Sequence, residues 1–195
     1  MLDGMDAHER VLRDAERILE TSLDEFRSSA VGSLAREFYE LRLQAAIFQY
    51  DICFEFCAQW HAEPQGFAQK VALKNLVHKL YEYDVAVAER ITKRILTLAE
   101  ERGLSVDRDL IRSERKKWQQ EFSQLRQWAS LRNQTSAHYG KDIAEQVALI
   151  GQLRHDDVIS VAKAFLAFNN FVCKLLASVG QGGAGPFHDG QRGAV

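Results

Sequence analysis

The side chains best suited to chemistry lie together in the ten residues 131–140, LRNQTSAHYG. Arg132 supplies a permanent cation whose planar fork of donors can hold phosphate oxygens. His138 supplies an imidazole whose ordinary pKa, about 6.5, lets it accept or donate a proton near neutral pH. Asn133 and Tyr139 add hydrogen-bonding groups beside them. These residue types suit the binding of a phosphate group and the transfer of a proton beside it.

The order of these residues resembles a known signature. Five residues, 133–137, separate Arg132 from His138, and a polar residue directly follows the arginine. This pattern resembles the Arg-(four to six residues)-His motif of the HEPN superfamily, in its abortive-infection and toxin type. In that family the motif lies late in an all-helical bundle, before a last long apolar helix, and residues 30–178 provide a similar setting.

The resemblance implies a metal-independent endoribonuclease, a toxin or phage-defence effector, that leaves a 2′,3′-cyclic phosphate and uses no cofactor. His138 would move a proton at the RNA 2′-OH or at the leaving oxygen. Arg132 would neutralise the phosphate as charge builds in the transition state, and Asn133 would orient one of the two. Tyr139 follows the histidine directly, whereas the toxin subgroup has one residue between them, so regulation through this tyrosine is not expected.

Arg132 and His138 cannot form a working pair on one regular helix. Residues six positions apart differ by about 240° around an axis with 3.6 residues per turn. We therefore expect either a helix break near Thr135 and Ser136 or partners from a second chain. The family solution is a homodimer in which two copies of the motif face each other across a two-fold axis. An antitoxin or defence partner protein is also conceivable on this interpretation.

Two other interpretations remain open. Members of the superfamily that bind nucleotides or RNA without cutting them would carry the same motif. Alternatively, Arg132 could simply form an ion pair at a helix end and His138 could be a packing residue, in a helical protein-interaction module. Whether Arg132 and His138 of two subunits share one open cleft would discriminate among these functions.

Composition bounds the class of protein. The chain has 195 residues, 46% of them hydrophobic, which suffices for one globular domain with a core. Two prolines and no runs of β-branched residues favour helices. Three cysteines indicate a reducing compartment, and the acidic N-terminus does not resemble a signal peptide. Without a run of eighteen uncharged apolar residues, a cytoplasmic protein with no membrane span is expected.

Charge is uneven along the chain. The formal net charge of −2 does not favour nonspecific binding to duplex nucleic acid. Residues 108–132, however, contain seven basic and three acidic side chains, a local excess of +4. We expect Arg115, Lys116 and Arg126 in this basic run to steer an RNA backbone towards the motif. A solvated helix face is the commoner meaning of such a run and remains the alternative.

Hydrophobic periodicity predicts an all-α, up-and-down, HEPN-like bundle of about four long helices plus one short helix. One domain is expected over 1–179, with 1–28 as a peripheral N-terminal helix or dimer arm, and 180–195 as a disordered Gly-rich tail. The remaining helices are expected over 33–61, 67–102, 105–132, 142–153 and 156–178. Ser33 is expected to cap the first of these, Gly103 to end the second, and Ser105 or Asp107 to start the third. The helix over 33–61 is apolar nearly all round, so we expect it to be central and buried.

Other polar residues receive structural interpretations. Cys53, Cys57 and His61 are spaced i, i+4, i+8, but their ends would lie about 12 Å apart along a helix, so core packing is expected rather than a metal site. One of Asn169 and Asn170 is expected to form a hydrogen bond across the core. His155 is a second candidate for the cleft, although a solvent-facing turn is the simpler expectation.

Overall fold

The computed structural model describes residues 2–104, 106–135 and 142–180. Its α-helices are α1 (Leu2–Ser28), α2 (Leu34–Ala62), α3 (Gly66–Ala86), α4 (Thr92–Glu101), α5 (Arg108–Lys117), α6 (Gln119–Gln127), α7 (Ala129–Thr135), α8 (Ile143–Gly151) and α9 (His155–Gly180). A π-helical turn, Val87–Ile91, joins α3 to α4 without a break. No strand occurs in these ranges, so the all-α prediction is confirmed. Of the tail expected over 180–195, Gly180 is instead the last residue of α9, and 181–195 lies outside the described residues.

The core is built around α2 and α9. α2 contacts α1, α3, α4 and α9, while α9 also contacts α3, α5 and α6. α1 packs mainly along α2. The expectation that α2 is buried all round is wrong at three apolar positions, because Ile47, Phe54 and Trp60 are each about half exposed. The neighbouring helices of the described domain therefore leave part of the α2 surface uncovered.

Local sequence signals set the helix ends where they were predicted. Ser33 precedes α2, and its hydroxyl oxygen accepts a hydrogen bond from the Arg36 amide at 3.2 Å. Asp107 precedes α5 in the same way, accepting from the Asp109 amide at 2.8 Å. Gly103 follows α4 with φ +67°, the left-handed conformation that closes many helices and that favours glycine.

The single helix expected over 105–132 is instead three short helices, α5, α6 and α7. The breaks fall at Trp118 and Trp128, whose backbone dihedrals (φ −111°, ψ 23° and φ −89°, ψ 13°) leave the α-helical region. At both positions the amide bonds to the carbonyl three residues back, Arg115 at 3.3 Å and Leu125 at 3.1 Å. Both indole rings pack against the core. The three short helices all turn their apolar side chains towards the core. The hydrophobic periodicity is therefore similar to that of one continuous helix and does not reveal the breaks.

A buried polar network crosses the core, as predicted. Asn169 is fully buried, and its amide nitrogen donates to the Ala45 carbonyl at 3.1 Å and to Gln49 Oε1 at 2.8 Å. The Tyr83 hydroxyl donates to Asn169 Oδ1, and burial raises the pKa of Tyr83 well above its ordinary value, so the phenol keeps its proton. Asn170 is exposed. The network ties α2, α3 and α9 into one arrangement.

Within the described residues, α9 alone is long and apolar enough to cross a membrane. The stretch His155–Ala177 has a mean hydropathy of 1.4, and 56% of its apolar window is buried inside the domain. A core helix of this kind meets the same criteria as a membrane span, so the helix is weak evidence for one.

Candidate functional site

Arg132 lies on α7, where that helix contacts α3. Its Nη2 and Nε atoms both donate to Glu82 Oε1, at 2.7 and 3.1 Å, and its Nη1 donates to Asn133 Oδ1 at 3.2 Å. The guanidinium carbon is 5.6 Å from the centre of the Tyr81 ring. The side chain is nevertheless 39% exposed. The cation is thus held in a fixed place at the surface.

Glu82 controls the electrostatics of Arg132. Its hydrogen bonds first, and then its charge, raise the pKa of Arg132 above the ordinary value. Because Glu82 is 63% exposed and uses one oxygen for both bonds, its carboxylate can move into solvent without disturbing the core. An incoming phosphate would have to displace this carboxylate or share the guanidinium of Arg132 with it.

His78 is a second imidazole near Arg132 that the sequence motif did not indicate. Burial lowers its pKa most, the charges of Lys74 and Arg132 lower it further, and Glu82 and a hydrogen bond with the Leu131 backbone oppose them. A histidine with a lowered pKa is mainly neutral at pH 7 and can accept a proton. The i, i+4, i+8 spacing of lysine, histidine and glutamate along α3 is the signal that could have identified this cluster.

His138 and Tyr139 lie outside the described residues, as does the helix break expected after Thr135. The helices on either side are in contact: Gln146 of α8 donates to the Gln134 carbonyl of α7 at 3.2 Å. Gln134 Oε1 is buried and has no hydrogen-bond partner among the described residues. The structure therefore fixes the two flanks of the stretch that carries His138, and the pairing of this histidine with Arg132 stays a prediction.

The basic run over 108–132 is largely neutralised by ion pairs. Five of its seven cations pair with carboxylates, three of which come from α3 and α4: the pairs are Arg108–Glu100, Arg112–Asp109, Arg115–Asp84, Lys117–Glu114 and Arg132–Glu82. Lys116 and Arg126 are exposed and form no ion pair with any residue in the described ranges. The excess of +4 is overstated because three of the five pairing carboxylates lie outside the run. Of the three expected RNA contacts, Lys116 and Arg126 are the two that remain available.

Arg115 has a packing role of its own. Its Nη2 lies 2.5 Å from Asp84 Oδ1, and its guanidinium carbon is 4.9 Å from the Phe122 ring centre and 5.8 Å from that of Phe168. The two charged side chains are 30% and 17% exposed. A contact between Arg115 and RNA stays a prediction, and it would require this half-buried pair to open.

The cysteines of α2 are core residues. Cys53 and Cys57 are buried free thiols, as the packing interpretation predicts. The same expectation is wrong for His61, which is exposed near the end of α2. Burial raises the pKa of Cys53 to about 11, so the thiol stays protonated at neutral pH. In the part of the chain that the structure describes, no three histidine, cysteine, aspartate or glutamate side chains come together as a metal site. His155 begins α9 and is half exposed, with Nδ1 3.2 Å from Asp156 Oδ1.

No protein-family model, curated protein or solved structure matches the chain.

Proposed function

We propose that the protein is a metal-independent endoribonuclease of the HEPN type, in which Arg132 and His138 are the catalytic residues. The observation that carries the proposal is the setting of Arg132: an ordered guanidinium, 39% exposed, held beside Asn133 at 3.2 Å by a carboxylate that is itself exposed. A phosphate oxygen can take the place of Glu82 Oε1 against the same two donors. Exposed Lys116 and Arg126 supply further cations for the RNA backbone.

The proposed reaction needs only the RNA and these side chains. His138 removes the proton of the 2′-OH, the 2′ oxygen forms a bond to phosphorus, and the bond from phosphorus to the 5′ oxygen breaks. The imidazolium then returns the proton to the departing 5′ oxygen, leaving a 2′,3′-cyclic phosphate and a 5′-OH. Arg132 balances the extra negative charge on phosphorus oxygens during the step.

We propose further that the working unit is a homodimer. Arg132 and His138 point to different sides of a regular helix, so a two-fold axis that brings two motifs together would supply the missing partner. A toxin or defence effector of this kind would act on cytoplasmic RNA and could be held by an antitoxin or another partner protein.

A second function is favoured by the Arg132–Glu82 pair. If this ion pair persists in the presence of RNA, Arg132 only ties α7 to α3, and the protein is a non-catalytic RNA-binding or protein-interaction module. The neutralisation of five of the seven cations in the basic run points the same way.

RNA digestion in the presence of EDTA tests the proposal. We expect the wild type to cut RNA and His138→Ala to lose at least about 100-fold in rate, the low end of what general acid–base catalysis contributes. His78→Ala is the matched control, because it removes the other imidazole near Arg132. Wild-type cleavage that survives in His138→Ala would overturn the assignment, and loss in His78→Ala alone would move the base to α3.

Mixing two inactive variants tests the shared site. If Arg132 of one subunit works with His138 of the other, mixed dimers of Arg132→Ala and His138→Ala contain one intact site and regain activity. Each variant alone stays inactive. A wild type that is monomeric by light scattering at micromolar concentration, yet cuts RNA, would contradict the dimer.

A further inference from the structure

A cavity of about 690 Å³ lies between α1, α2 and α9, lined by none of the residues of α7. This volume is in the range of small-molecule sites, which are typically about 300–1,000 Å³. Its walls are mainly apolar, with Val11 from α1, Phe56 and Trp60 from α2, and Ile159 and Leu166 from α9. Such walls suit an organic ligand that buries carbon surface, rather than a hydrated ion.

One wall presents a fixed aromatic surface. The Trp60 indole stacks on the His8 ring with centroids 4.4 Å apart and planes inclined by 16°. His8 is also tied to α2 through its carbonyl, which accepts from the Cys57 thiol at 3.3 Å. The indole remains 43% exposed. A planar ring entering the cavity can pack against it and Phe56 with the offset or edge geometry that aromatic pairs prefer.

The polar groups of the lining favour an acceptor on the ligand. Gln59 Nε2 is buried without a hydrogen-bond partner among the described residues, an unfavourable state that an acceptor relieves once the amide turns towards it. Lys163 is exposed on α9 and forms no ion pair within the described ranges. Glu63 is the one carboxylate of the lining. The donors at Gln59 and Lys163 together match an anionic group with several acceptor oxygens.

We propose that this cavity binds a planar aromatic anion, with its ring against Trp60 and Phe56 and its acid group at Lys163 and Gln59. The site does not depend on RNA cleavage, because the cavity and α7 share no residue. It gives the protein a small-molecule ligand in addition to its proposed substrate.

The charge requirement is testable with two fluorescent probes of nearly the same ring system. The anionic probe is 1-anilinonaphthalene-8-sulfonate, and the neutral one is N-phenyl-1-naphthylamine. We expect the folded wild type to bind the anionic probe at one site. Lys163→Gln should weaken that binding about tenfold, the loss of one charge-assisted hydrogen bond, and leave the neutral probe unaffected. Lys174→Gln, a matched change on α9 outside the lining, should alter neither.

Two further variants locate the site. Val11→Trp should fill the cavity and abolish binding of both probes, whereas Ile18→Trp, on the same helix but outside the lining, should retain it. Glu63→Gln should strengthen binding of the anionic probe, since it removes the opposing charge. Equal effects of Lys163→Gln and Lys174→Gln, or unchanged binding in a folded Val11→Trp protein, would overturn the proposal. So would probe binding only under conditions in which the cooperative thermal transition is already lost.

Discussion

Two arginine–carboxylate pairs join α3 to the broken helix formed by α5, α6 and α7, and the two pairs differ in burial. Arg115 of α5 meets Asp84 with side chains 30% and 17% exposed, whereas Arg132 of α7 meets Glu82 with side chains 39% and 63% exposed. Both guanidinium groups also face aromatic rings. The first, closed pair is the more buried, so removal of one partner leaves a charge with limited access to solvent. In the second, open pair the carboxylate of Glu82 is exposed, so a phosphate can replace it as the partner of Arg132.

The largest effect on stability should come from the closed pair. Asp84→Ala leaves Arg115 half buried without its counter-charge, and we expect a loss of about 2–3 kcal/mol in the free energy of unfolding, between the values for surface and buried pairs. Glu82→Ala should cost much less, because water can solvate the guanidinium of Arg132, which is already 39% exposed. Urea unfolding of the two variants measures the difference. Equal losses would remove the distinction between the pairs.

The buried network offers an internal standard for that comparison. Asn169→Leu removes the partner of the Tyr83 hydroxyl and of two acceptors on α2. We expect a loss of about 1–3 kcal/mol, the cost of leaving buried polar groups unpaired. Asn170→Leu, one residue along on the exposed side of α9, is the control and should change stability little. The measurement is again unfolding by urea, and similar values for both variants would mean that the network contributes nothing.

Ligand exchange at the open pair predicts a gain of RNA affinity. Glu82→Gln removes the competing charge from Arg132, so we expect a labelled RNA to bind about three- to tenfold more tightly. Glu37→Gln, which removes the charge that faces Arg94 on α4, should not produce this gain. Fluorescence anisotropy at fixed salt measures both affinities, and salt must be held constant because phosphate contacts are strongly screened. Unchanged affinity in Glu82→Gln would favour the non-catalytic, structural role of Arg132.

The smallest predicted effect is a pH dependence through His78. Its pKa is lower in the folded protein than the ordinary 6.5 of an unfolded chain. The unfolded state therefore binds more protons, so the stability from this group is present above pH 6.5 and is lost as the pH falls through the folded pKa. His78→Gln should make the free energy of unfolding less dependent on pH in this range. Arg132→Gln should raise the pKa of His78, observable by NMR titration, since Arg132 is one of the charges that lower it. An unchanged pKa of His78 in Arg132→Gln would mean that the charge of Arg132 does not act on this imidazole.

Local signals predicted the all-helical class and several helix ends, because each depends on a few adjacent residues. The Ser33 and Asp107 caps and the Gly103 stop are of this kind, and so is the apolar character of α9. The helix breaks at Trp118 and Trp128 escaped prediction because they depend on how two large rings fit against a core formed by distant residues. The spacing of apolar residues in the sequence carries no information about that fit.

The candidate site was less predictable for a related reason. Arg132 was identified from its neighbours in the sequence, but its partner Glu82 lies fifty positions earlier on α3. The same separation hid His78 and the three carboxylates of α3 and α4 that pair with Arg108, Arg115 and Arg132. Charge counted within a window cannot include carboxylates that the fold brings from another helix.

Metal-free RNA cleavage by matched arginine variants tests the central claim most directly. Wild type, Arg132→Ala and Arg94→Ala are compared in EDTA, with each rate divided by the folded fraction of that variant. Arg94 is the matched control because it lies on α4, pairs with Glu37 and is 37% exposed, close to the 39% of Arg132. We expect the wild type to cut RNA, Arg132→Ala to be at least about 100-fold slower, in line with the loss of a transition-state contact, and folded Arg94→Ala to stay within a few-fold of the wild type. Undiminished cleavage by Arg132→Ala, or no cleavage of any RNA by the wild type, would contradict the account.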